Sequence, residues 1–106
     1  MSRRYEVSPV ALDDLDATAA FIAEKSTRAA ERFLDEIYDA FEMLAANPPL
    51  GHRRTDLTSL PVFFWTHSRG YAVIYRKAEP LQIVRVLAWK QDVATLLSNQ
   101  SGFALP

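Results

Sequence analysis

Five residues, Asn47-Pro48-Pro49-Leu50-Gly51, divide the chain into halves written in different structural periods. Two successive prolines cannot continue a helix, because each lacks the N–H of the helical ladder and pushes its preceding residue out of helical geometry. Before them, apolar residues recur at spacings of three and four. After them come short runs rich in β-branched and aromatic residues. Any fold must therefore set a helical first half against a stranded second half.

The first half reads in detail. Tyr5 and Val7 alternate with Arg4 and Glu6 as in a short strand. Ser8 followed by Pro9 predicts a helix start, since serine caps free N–H groups and proline tolerates the first helical position. Leu12, Leu15, Ala19 and Ile22 form that helix's apolar stripe. Ser26 and Thr27 offer a second cap, and Ala30, Phe33, Leu34, Ile37, Phe41 and Leu44 form a second stripe. Two helices joined by so short a turn pack as an antiparallel hairpin. Phe21 and Tyr38 fall off the centres of their stripes, at the hairpin's edge or a groove.

In the second half, "VFFWTH", "YAVIYRK" and "LQIVRVLAW" read as three strands of an antiparallel meander, and "DVATLLSNQ" as one or two helical turns. The expected fold class is α+β: an N-terminal strand and a helical hairpin packed on one face of a small, mainly antiparallel sheet. Residues 5–97 make a single domain and 98–106 a loose tail. With a turn at residues 77–80, Arg76 pairs with Leu81. That register puts Ala72, Ile74 and Arg76 on one face with Ile83, Arg85, Leu87 and Trp89. Tyr71, Val73, Tyr75, Val84, Val86 and Ala88 take the other. Buried arginine is costly unless paired, so the arginine-bearing face is assigned to the open side and the Tyr/Val face to the helices.

Composition narrows the function. At 106 residues the chain supports one modest core. Without cysteine there is neither disulfide nor thiolate chemistry, and two histidines leave little for a metal; no cofactor is expected. No run approaches the ~20 apolar residues of a membrane helix, and "MSRRYEVSP" lacks a signal peptide's apolar core, so a cytoplasmic protein is expected. Residues 1–50 hold five basic and ten acidic side chains, a net −5, whereas residues 51–106 hold seven and three, a net +4. The second half can meet an acidic partner, although an acidic helical surface alone produces the same split. His67 is the one candidate acid or base near a strand end, but a lone histidine is more often structural. Arg76 and Arg85 either face a partner or pair with local carboxylates.

A family resemblance rests on the order of several stretches. "SPVALDDLDATAAFIAEKSTRAAERFLDEIYDAFEMLAANPPLG", then "YAVIYR" and "IVRVL", resembles the ParE branch of the RelE/ParE superfamily, toxins of bacterial type II toxin-antitoxin systems. The resemblance spans about residues 5 to 97. It implies the same fold and an antitoxin partner. Its RelE-like members cut messenger RNA on the ribosome, whereas its ParE-like members poison DNA gyrase by binding.

Residues 70–95 bear on that choice. RelE-like nucleases carry an arginine two places after the glycine, where this chain has Ala72, and a basic segment ending in a tyrosine after the last strand, where it has "AWKQDVATL". The resemblance therefore implies a gyrase poison with no catalytic residues, neutralised by a ParD-like antitoxin in a hetero-oligomeric complex. Many ParE-like chains, however, read H-G-x-R-D where this one has Ala88 to Asp92. Phe21, Tyr38 and Trp65 are the expected antitoxin contacts, and Arg76, Arg85, Trp89 and Lys90 the expected target contacts. The alternatives are a ribosome-dependent endoribonuclease using Arg53, Arg54, Arg76, Arg85 and Lys90, and an interaction module without toxicity.

Overall fold

The computed structural model describes residues 4–67, 70–88 and 93–98. Its elements are β1 (Tyr5–Val7), α1 (Pro9–Ala23), α2 (Thr27–Ala46), β2 (Phe63–Thr66), β3 (Tyr71–Arg76), β4 (Leu81–Ala88) and α3 (Val93–Ser98). The four strands lie in the order β1-β4-β3-β2. β2, β3 and β4 form the antiparallel meander, while β1 runs parallel to β4 at Leu81–Ile83.

Local chemistry starts α1 and α2 where the caps predict. The Ser8 hydroxyl accepts the Ala11 N–H at 3.0 Å and donates to the Val84 carbonyl at 2.9 Å, so one buried side chain caps α1 and ties it to β4. Ser26 caps α2 through the Ala29 N–H. After Asn47, Pro48–Leu50 make a single 3-10 turn. The Tyr75 phenol then fastens the exit from α2, accepting the Gly51 N–H at 2.7 Å and donating to the Pro48 carbonyl. A Cβ at position 51 would lie 2.4 Å from that phenol oxygen, so only glycine fits. Burial pushes the Tyr75 phenol above its ordinary pKa, and the Gly51 N–H opposes part of that rise.

The hairpin covers one face of the sheet. Ala11, Leu15, Phe33, Ile37, Phe41 and Leu44 pack against Val73, Tyr75, Leu81, Ile83 and Val86. Ala11 occupies the position expected of Leu12, which is exposed instead. Both residues fit a stripe of this period, and the small methyl of Ala11 lets α1 approach the sheet closely.

Two expectations about the sheet are corrected. Arg76 pairs with Gln82 and not with Leu81, and a bulge between Ile74 and Tyr75 shifts the register by one more residue, putting Ile74 opposite Arg85 and Ala72 opposite Leu87, so that above it these four share a face as expected although each partner lies two residues further along β4. A bulge adds one residue to one strand and so reverses which residues point where on either side. Ile83 therefore faces the helices and Val84 faces away, the reverse of the assignment made for each. Nor is the second face open: Val62, Phe64, Ala72, Ile74, Val84 and Leu87 form a second core with Val93 and Leu97 of α3. A face this apolar must be covered, and the short C-terminal helix with the strand-preceding loop covers it.

Candidate partner-binding surface

Arg85 was expected to face outward, and the structure overturns that. Only 9% of the residue is exposed. Its Nε and Nη2 donate to Asp14 Oδ2 and Oδ1, both at 2.8 Å, and its Nη1 donates to the Leu96 carbonyl at 3.3 Å. Asp14 Oδ2 also accepts the Val86 N–H at 3.0 Å, beyond the point where β1 stops pairing with β4. The carboxylate thus supplies the acceptor a neighbouring strand would have given. A guanidinium so engaged is a structural tie, and its charge is not offered to a target.

The other described basic candidates fall in the loop before β2 and at the end of β3. Arg53 is exposed and donates to the Leu60 carbonyl at 3.3 Å. Arg54 grips Asp56 in a two-point ion pair at 2.9 and 2.7 Å, and that hydrogen bonding holds the Asp56 carboxyl below the usual carboxylate range. Arg76 is half-buried at the end of β3. Lys77 lies over the Phe63 ring, 4.2 Å from its centroid. Trp89 and Lys90 lie outside the described residues.

The apolar candidates sit on the helical side. Phe21 in the last turns of α1 is 66% exposed, and Tyr38 on α2 is 37% exposed and meets Phe41 edge-on. Beside Phe21 in sequence, Ile22 joins Ala29, Phe33 and Tyr71 around a cleft of about 280 Å³. Pockets for drug-sized ligands start near ~300 Å³, so this cleft suits a partner's side chain better than a cofactor. Trp65 is half-buried, packs toward the helical core and stands edge-on to His67, with ring centroids 5.9 Å apart.

Sequence spacing missed His67's neighbour: its Nε2 lies 3.8 Å from Glu36 Oε2, across 31 positions of chain that only the tertiary fold brings together. Among the described residues, no three His, Asp or Glu side chains gather as a metal site requires. Nor is any described helix long and apolar enough to cross a membrane.

This α+β arrangement is that of a small RelE/ParE-like domain. The profile of the ParE toxin of type II toxin-antitoxin systems, parDE, matches residues 5–93, from the first residue of β1 to the first of α3. The chain belongs to the ParE toxin family. Membership makes it the toxin of a type II toxin-antitoxin system and implies an antitoxin as its partner. Among curated proteins, none matches the chain significantly. In this ParE-family toxin Ala72, two places after Gly70, is fully buried in the second core.

Proposed function

We propose that this ParE-family toxin arrests DNA gyrase by binding it, without turnover, and is silenced in the cytoplasm by a ParD-like antitoxin in a hetero-oligomeric complex. The observation that most supports binding over nuclease chemistry is what stands at two positions of the sheet. Ala72 is sealed in an apolar core, and Arg85 spends its donors on Asp14 and Leu96. A metal-independent ribonuclease needs charge-stabilising and proton-transferring groups converging on one phosphate. Arg53 donates to the Leu60 carbonyl, and Arg54 and Arg85 are each held by a carboxylate, which supports binding over that chemistry.

The antitoxin reading draws on exposed Phe21 and Tyr38, half-buried Trp65 and the cleft lined by Phe33 and Tyr71. Aromatic anchors of this kind carry much of the energy of protein interfaces. For the target, Arg76, Trp89 and Lys90 remain the contacts to test.

Purified toxin is added to a gyrase supercoiling reaction and, separately, to translating ribosomes with messenger RNA. Lost supercoiling with intact messenger RNA is the expected result. Cleaved messenger RNA with normal supercoiling would reject the proposal in favour of the nuclease reading, and inertness in both would leave an interaction module.

A further inference from the structure

One side chain ties three elements together. Asp14 comes from α1, Arg85 from β4 and the Leu96 carbonyl from α3, and the ion pair joining the first two is 11% and 13% exposed at its side chains. α3 has six residues. A helix so short has no stability of its own in water, so its order depends wholly on what it docks against. Part of that dock is apolar: Val93 and Leu97 are buried, and Leu96 packs partly, against Phe64, Ala72, Ile74, Val84 and Leu87. The polar part is the Arg85 guanidinium beneath the Leu96 carbonyl.

That guanidinium stays where it is because of Asp14. A buried arginine deprived of its carboxylate is far costlier than one fully exposed, so without Asp14 the side chain turns out to water. The route out lies past the edge of β4 beyond its pairing with β1, where Asp14 takes the Val86 N–H. As it leaves, Arg85 withdraws its hydrogen bond from Leu96 and disturbs the surface on which Leu97 rests. The hairpin core loses less, because it is built from a separate set of apolar side chains and meets α1 through Ala11 and Leu15.

We propose that the Asp14–Arg85 pair is a clasp through which the position of α1 controls the docking of α3: closed, it holds the C-terminal helix on the sheet; opened, it frees that helix and uncovers the second apolar face. The toxin then has two states that share one folded hairpin and sheet. They differ in the accessibility of Phe64, Ala72, Ile74, Val84 and Leu87. Any partner that draws α1 away from the β4 edge favours the open state by its differential affinity for it, and a ligand for the uncovered face loosens α1 in return. The device is independent of which target the toxin engages.

Asp14→Asn separates the clasp from the rest, since the amide oxygen still accepts the Val86 N–H while the ion pair is lost. Amide hydrogen exchange is followed at Leu97 in α3 and at Val73 and Tyr75 in β3. At least a tenfold acceleration at Leu97, with Val73 and Tyr75 unchanged and increased binding of an apolar dye, is expected. Equal acceleration at all three amides, or none at any, overturns the clasp. If the variant does not fold, exchange of the unaltered protein at rising urea decides instead. Opening of Leu97 with a smaller urea dependence than Val73 supports separate docking, and exchange of both only through global unfolding refutes it.

Discussion

Removing a single oxygen, by Tyr75→Phe, tests how the helical half is fastened to the sheet. The ring stays in the core against Phe63, with centroids 6.0 Å apart, so apolar burial is preserved. What disappears is one acceptor and one donor: the Gly51 N–H at 2.7 Å and the Pro48 carbonyl lose their partner. Each lost hydrogen bond costs ~1 kcal/mol net, and an amide left buried without an acceptor adds ~1–3 kcal/mol. Gly51 is buried, so its amide is not readily rescued by water. The expected loss is about 3 kcal/mol, which for a domain of this size lowers the Tm by roughly 10 °C or more.

Urea unfolding followed by far-UV circular dichroism measures the loss, provided the m-value is unchanged. The pH dependence adds a second signature. Burial raises the folded-state pKa of Tyr75, so its contribution is fully present below ~10, where the unfolded phenol titrates, and is lost as pH climbs through the raised value. Tyr75→Phe should flatten that alkaline limb relative to the unaltered protein. A loss below ~0.5 kcal/mol, or identical alkaline limbs, would refute the fastening role.

Gly51→Ala should destabilise even in the Tyr75→Phe background, because the phenol ring carbons remain 2.7 and 2.8 Å from the new Cβ; equal stability of Gly51→Ala/Tyr75→Phe and Tyr75→Phe in urea titrations would count against the close packing. Ser8→Ala removes both the α1 cap and the bond to Val84, an expected loss of about 2 kcal/mol in thermal unfolding, against ~1 kcal/mol for an ordinary cap. Phe21→Ala leaves the Tm within about 1 °C, as expected for a side chain two-thirds exposed, while weakening antitoxin binding at least tenfold by calorimetry. Asp56→Ala breaks the exposed pair with Arg54 and should leave stability unchanged in low and high salt alike.

The elements themselves were legible because they depend on neighbours in sequence. Ser8-Pro9 and Ser26-Thr27 mark helix starts through atoms within three residues of each other, and Pro48-Pro49 ends α2 for a reason internal to the chain. The exposed positions of Phe21 and Tyr38 follow from helical periodicity too. Leu12 and Ala11 could not be told apart in that way, since both fit the stripe and only the approach of α1 to the sheet separates them. The two-residue alternation assigned Val73, Tyr75 and Val86 to the helical face correctly, then failed at Ile83 and Val84, where the bulge adds a residue that no local pattern announces.

Sequence by itself determined the α+β class, the hairpin, the meander and the family, since backbone propensity, capping and apolar periodicity act over a few residues and accumulate along the chain. Only the tertiary structure decided what Arg85 is. Its partner Asp14 lies 71 positions away, and Leu96 joins from a helix that packs on the opposite side of the sheet. A charged side chain reads the same in sequence whether it faces water or a buried carboxylate. The free energy of desolvation, repaid by a two-point ion pair, distinguishes the two cases, and that balance exists only once α1, β4 and α3 have met.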